Sequence, residues 1–312
     1  MDTISCDTAF NTALSNGRII GSYSTGEPGP LVLAMGGIHG NEASGVMAIE
    51  SVLRQLQTSG TSLSGTFIGM LGNRPALARA TRCIDEDLNR CFVAERIAAP
   101  QPLHPSVEEG QLREITTIID ELGEHHEDVC FIDCHTTSAM TMPYISVNEH
   151  AESLHLARHF PLSCVVGLEK SIPGCFGEYC NRLGYRGFTV EGGQHAEIAS
   201  IENHEAMLWL LLVYSGAAAK QDIAHFSQYQ DSLARHTTDG CRHFRLTTHY
   251  RISADENFIM RPGYVNFQKV HKGEVLADND FGEICAPYDG RILMPLYQPQ
   301  GDDGFFLLEN DD

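Results

Sequence analysis

Through the first two thirds of the chain, short continuous apolar runs alternate with segments of helical period. Leu31–Met35 is an unbroken apolar run closed by Gly36–Gly37, the pattern of a strand buried on both faces. Val46, Ile49, Leu53 and Leu56 follow at i, i+3, i+7 and i+10, one stripe of a helix that ends near Gly60. Thr66–Leu71, Val129–Asp133, Cys164–Leu168 and Phe188–Glu191 read as further strands. Val107–Leu122, Phe176–Leu183 and Glu202–Tyr214 read as helices. This alternation predicts an α/β fold, a mostly parallel or mixed sheet covered by helices on both faces. The pattern changes after Gly216. Residues 217–240 are largely polar and predict a linker, with a linking helix within Gln221–Asp239. From Cys241 onward, Phe244–Leu246, Phe258–Met260, Gly263–Phe267, Glu274–Ala277, Ile284–Ala286, Arg291–Pro295 and Phe305–Leu308 are short strand-like runs broken by glycine, proline and aspartate. The expected organisation is an α/β domain over 1–216, a linker over 217–240 and a small all-β domain over 241–312.

Charge narrows the partners. Lys and Arg total 21 against 41 Asp and Glu, a net charge of −20. Such a surface repels phosphate backbones and anionic lipid, so neither nucleic acid nor a membrane surface is an expected partner. Met1–Ser5 lacks the basic start of a secretory signal, and the longest apolar stretch, Met207–Val213, is far below the ~20 residues of a membrane span. Ten cysteines are scattered without a C-x-x-C pair. Reduced thiols and a cytoplasmic location are expected.

The chemistry sits where strands end. Gly36–Gly37–Ile38–His39–Gly40–Asn41–Glu42 follows the first buried strand, at the edge of the sheet where ligand sites of open α/β folds gather. His39 and Glu42, three apart in a turn entering a helix, can reach one point. An imidazole nitrogen with a carboxylate oxygen suits zinc, although a helix cap with a surface histidine is the plain alternative. Asp133–Cys134–His135–Thr136–Thr137 brings His135 to the same edge, with Asp133 on the same strand face to hold the imidazole. Two histidines and one glutamate form a zinc ligand set with a position left for water, as in thermolysin and carboxypeptidase A. Glu191, at the end of Phe188–Glu191 before Gly192–Gly193, is placed to serve as a general base; binding of loop amides is the alternative. Arg82 and Arg90, in the stretch Thr81–Arg90, are candidate anchors for an anionic substrate, with Asn89 fixing a further polar atom. Ion pairing with Asp85, Glu86 and Asp87 is the competing reading.

Together GGIHGNEASG, NRPALARATRCIDEDLNRCF, DCHTT and FTVEGG resemble, in order, the succinylglutamate desuccinylase and aspartoacylase family of zinc-carboxypeptidase-like hydrolases. The resemblance runs from about Leu31 to Gly193. It implies one Zn2+ per chain on His39, Glu42 and His135, with Glu191 as general base. It also implies that Arg82, Asn89 and Arg90 bind the substrate, Arg82 helping to polarise its carbonyl. The family hydrolyses the amide of a small N-acyl amino acid and joins a catalytic α/β domain to a smaller β-rich C-terminal domain. The chain departs from aspartoacylase at Gly192–Gly193–Gln194–His195, at Asn181 with Arg182 and Arg186, and at Tyr297. The expected partner is a small anionic N-acyl amino acid, with further copies of the chain as an option. A metallocarboxypeptidase acting on peptides uses the same ligands and base. A non-catalytic metal-binding protein would not need Glu191.

Overall fold

The computed structural model describes residues 17–237 and 243–311. Met1–Ser5 and Cys241, named above, lie outside the described residues, as does the end of the 221–239 segment. Around Leu31–Met35 the structure has strand β2 (Glu27–Gly36), flanked by β3 (Ser64–Leu71) and β4 (Val129–Thr137) in parallel pairing. Strand β1 (Ile19–Ser24) closes one edge against β3, and β7 (Arg186–Gln194) runs parallel to β4. Beyond β7 come β5 (Tyr144–Val147) and β6 (Ser163–Val166).

Alternation along these strands divides the core in two. Val32 and Ala34 of β2, Cys130 and Ile132 of β4 and Phe188 and Val190 of β7 face helices α1 (Ser44–Ser59) and α4 (Ile198–Tyr214). Leu31, Leu33 and Met35, with Val129 and Phe131, face α2 (Val107–His125) and α3 (Phe176–Arg182). Helix α1 buries Ala48, Ile49, Val52, Leu53 and Leu56 and stops at Gly60, whose left-handed φ of 65° suits glycine. Helix α2 starts where the Ser106 side chain accepts the Glu109 N–H at 3.0 Å. At residue 45 the start of α1 lies so close to β4 that a Cβ would stand 2.4 Å from that of Cys134, which explains the glycine.

The sheet continues past the expected boundary. Strand β8 (His243–Arg251) pairs in parallel with β6, and β14 (Asp303–Asn310), β13 (Gly290–Leu293) and β10 (Lys269–Val270) extend it to eleven strands. A separate antiparallel sheet holds β9 (Ile259–Met260), β11 (Val275–Asn279) and β12 (Gly282–Cys285). The fold is a mixed sheet covered by helices on both faces, with a small antiparallel region near the C-terminus. Within 221–239, α5 (Phe226–Ala234) packs Phe226 and Leu233 into the same cluster as α4. Gly263–Phe267 is not the strand its sequence predicted. Gly263 (φ 97°) and Phe267 (φ 66°) both leave the extended region, and the segment forms turns. Among the described residues no helix is long and apolar enough to cross a membrane.

Candidate active site

The face of the sheet beneath α2 and α3 changes chemistry toward the strand ends. Along β4, Val129 and Phe131 give way to Asp133 and His135 on the same side, and the β4–β7 register sets His135 beside Glu191. From the end of β2 the chain turns through His39 to Glu42, the turn closed by the Glu42 N–H donating to the His39 carbonyl at 3.2 Å. His39, Glu42 and His135 are all buried, and their ligand-type atoms lie within 4.8 Å of one another. The sequence thus places three predicted ligands at one point, from two strand ends and a helix entry.

Each imidazole is gripped from two sides. Glu42 Oε1 lies 2.9 Å from His39 Nδ1, and Glu42 Oε2 lies 3.0 Å from His135 Nδ1. On the outer side, His39 Nε2 meets Asp87 Oδ1 at 3.0 Å and His135 Nε2 meets Asp133 Oδ2 at 2.9 Å. Both Nδ1 atoms therefore point inward, with an aspartate orienting each ring from behind. Burial works against the charge on Glu42, yet the His39 and His135 imidazoles hold its carboxyl well below the usual range. Burial likewise opposes the charge on His135, but Asp133 and Glu42 hold it well above the ordinary histidine value. A further hydrogen bond fixes the His135 peptide: the ring of the fully buried His204 lies with Nε2 3.0 Å from the His135 carbonyl. Burial drives His204 down to about 4, so this ring stays neutral and donates from Nε2.

Glu191 is also buried, and its Oε2 has no hydrogen-bond partner. Tyr144 stands opposite it in the β5–β7 register, fully buried with its ring against Phe267. Burial pushes the Glu191 carboxyl up to about 8, with His135 pulling the other way and Glu42 adding to the rise. Glu42, Asp87, Asp133 and Glu191 set four carboxyl groups around two imidazoles. Arg82 offsets only part of that excess; His39, Glu42 and His135 would hold a divalent cation that offsets more of it, so the donor set fits zinc.

The arginines behave in two ways at once. Arg82 and Arg90 line the cleft beside the histidines, as does Asn89. Arg82 is paired with Asp87 through Nη2 at 2.7 Å and Nε at 3.2 Å, while its Nη1 stands 3.7 Å from Glu42. The ion-pair reading therefore holds for Asp87. Asp85 and Glu86 turn elsewhere, to the Val107 N–H and to Arg96. Asn89 Oδ1 accepts the Phe176 N–H at 2.9 Å, leaving its amide nitrogen for the cleft. Arg90 Nη2 meets Asp303 of β14 at 2.5 Å.

Sequence reasoning missed what the C-terminal segment contributes. Residues 294–306 form one wall of a cavity of about 100 Å3, through Met294, Leu296, Gln298, Gly301, Asp303 and Phe306. Gln298 Oε1 accepts from Asn41 Nδ2 at 3.1 Å and lies 3.2 Å from His195 Nε2, and Gln300 takes the Arg82 N–H. No spacing rule links position 298 to position 41. His195 lines the cleft, with Nδ1 on the Thr136 hydroxyl at 2.8 Å. Arg182, Arg186 and Tyr297 bond elsewhere: Arg182 to Glu178 and the Phe92 carbonyl, Arg186 to Asp128, Tyr297 to the Arg261 carbonyl.

Asp87 offers a direct check on the ring-orienting role. Asparagine in its place would present N–H groups to Arg82 or His39, both donors. Asp87→Asn is expected to weaken zinc affinity by about 10–100-fold, measured by competition with a chromogenic chelator.

Comparison with known proteins identifies the family of the chain. The family model for the succinylglutamate desuccinylase/aspartoacylase catalytic domain matches residues 28–209. The chain is 26% identical over 282 residues to a succinylglutamate desuccinylase of Pseudomonas paraeruginosa (strain DSM 24068 / PA7), spanning 85% of this chain and 79% of that protein. It is 32% identical over 181 residues to an N-acyl-aromatic-L-amino acid amidohydrolase (carboxylate-forming) of Xenopus tropicalis, spanning 57% of this chain and 53% of that protein. The crystal structure of a succinylglutamate desuccinylase/aspartoacylase from Rhodobacter sphaeroides superposes with a TM-score of 0.66 at 19% identity, covering 92% of this chain and 87% of that one. By the span of the catalytic-domain match, the chain belongs to the succinylglutamate desuccinylase/aspartoacylase family.

Proposed function

We propose that the protein is a zinc-dependent amidohydrolase that removes the acyl group from a small N-acyl amino acid. The observation that carries this reading is the buried His39–Glu42–His135 set with a buried, unpartnered Glu191 carboxylate oxygen beside it. His39 Nδ1, Glu42 and His135 Nδ1 would hold the metal. Zinc, when bound, supplies Lewis acidity that polarises a carbonyl and lowers the pKa of water to about 7. Glu191 takes the proton from the attacking water and delivers it to the departing nitrogen. Arg82, anchored by Asp87, turns Nη1 toward the metal set and stabilises negative charge developing on the substrate carbonyl oxygen. Asn89 and Arg90 hold the substrate's polar end.

The wall formed by residues 294–306 favours a small substrate over a peptide. It ties across the cleft to Asn41, His195 and Arg82 and narrows the space beside the histidines, which disfavours an extended peptide. Eight described cysteines are free thiols, which supports a reducing, cytoplasmic setting. The test is a panel of N-acetyl amino acids and tripeptides assayed for released amine with zinc-loaded protein. Deacylation of N-acetyl amino acids with tripeptides left intact is expected. Cleavage of tripeptides from the C-terminus would favour a carboxypeptidase instead.

A further inference from the structure

Beyond the metal ligands and Glu191, the charged groups facing the cleft are Arg82, Arg90, Glu169, Asp303 and, when protonated, His195. Both arginines are engaged by acids of this chain, Arg82 by Asp87 and Arg90 by Asp303. Asp303 is held firmly in that position. It begins strand β14 in register with Arg251 of β8, its Oδ1 lies 2.8 Å from His249 Nε2, and its side chain is 18% exposed. Glu169, which also lines the cleft, accepts the Glu149 N–H through Oε1 at 3.3 Å, and its Oε2 has no hydrogen-bond partner. Leu168, Ile172, Met294, Leu296 and Phe306 add apolar surface to the lining, and Ser146, Asn148, Thr189 and Gln298 add neutral polar groups.

A guanidinium has five N–H donors, and the pairs above leave some on each arginine. One substrate carboxylate can still be bound there, helped by the metal. A second carboxylate would meet only arginines already paired with Asp87 and Asp303, and would face the carboxylates of Asp303 and Glu169 in a lining whose other groups away from the metal set are neutral. Like charges without a partner in a partly buried cleft reject a ligand as effectively as a steric clash. We infer that Asp303 is a specificity-determining residue: by occupying Arg90 it restricts the cleft to N-acyl amino acids with a single carboxylate and an uncharged side chain, and turns away dicarboxylic ones. This rests on the deacylase reading for the identity of the ligand class, but the exclusion itself is a matter of binding.

The experiment measures binding by calorimetry in the zinc-loaded Glu191→Gln protein, so that turnover does not interfere. N-acetyl-leucine is expected to bind at least about tenfold more tightly than N-acetyl-aspartate. Adding Asp303→Asn, which keeps the shape and frees Arg90, is expected to close most of that gap by tightening N-acetyl-aspartate. Glu169→Gln provides a second route to the same narrowing should the Asp303 variant fold poorly. Equal or tighter binding of N-acetyl-aspartate in the parent would overturn the inference, as would an unchanged ratio in the folded variants or binding of neither ligand. Turnover in wild-type protein separates the two readings. Preference for dicarboxylic substrates defeats the inference alone, and selective binding without amine release from any substrate defeats the deacylase assignment alone.

Discussion

Glu191→Gln is expected to leave zinc content, fold and substrate binding in place while lowering kcat by about 10²–10⁴-fold, the usual worth of a general acid–base group. Glutamine keeps the side chain's size and an oxygen at the same point but cannot accept the proton. The environment explains why a carboxylate is suited to the task. Glu191 sits beside His135 across the β4–β7 register with Oε2 unbonded; burial pushes its carboxyl upward, and a divalent cation beside it would draw it back toward the carboxylate form a base needs. A carboxylate so placed accepts a proton more readily than an exposed glutamate and gives it up to a departing amine. The variant also loses a buried acid that its surroundings disfavour, so its melting temperature should not fall. Near-normal kcat with full zinc would remove Glu191 from the mechanism, and loss of zinc would make it a ligand.

Loss of one ligand should be more severe. His135→Gln is expected to abolish stoichiometric zinc, read by elemental analysis, and to bring amide hydrolysis to background. Glutamine is chosen over alanine because Asp133 is fully buried and its Oδ2 is bonded to His135. Alanine would leave that carboxylate unpaired, and an uncompensated buried charge costs about 3–5 kcal/mol of stability. A glutamine amide can still donate to Asp133, and His204 still bonds the backbone carbonyl at 135. Metal loss can then be told apart from unfolding. A His135→Gln protein that kept one zinc per chain would place the metal on other residues.

Much of this site was legible in the sequence because it is built at strand ends. Leu31–Met35, Val129–Asp133 and Phe188–Glu191 are apolar runs that stop at polar residues, and a parallel sheet brings such stops to one edge. Strand β4 runs on to Thr137, and the added residues include His135 itself. Contacts set by tertiary packing carried no such signal. His39 and Asp87 are 48 residues apart, and Arg90 and Asp303 are 213 apart. Asp87 looked like one acid among three neighbours, and only the fold distinguishes it from Asp85 and Glu86. His204 falls within a helix of apolar residues, where nothing local marks it as a support for His135. The short strand β5 was missed because Tyr144–Val147 follows Pro143 and has only four residues to display a period. The C-terminal texture was legible as β structure, but not that β8 would add to the main sheet beside β6 and so carry Asp303 and residues 294–301 to the cleft.

The most direct measurement is a titration of zinc into chelator-stripped protein, with the initial rate of N-acyl amino acid hydrolysis as the readout. The rate is expected to start at background, rise linearly and break at one zinc per chain, with His135→Gln flat throughout. Full activity in stripped protein, or a rate indifferent to added zinc, would contradict a hydrolytic centre built on His39, Glu42 and His135.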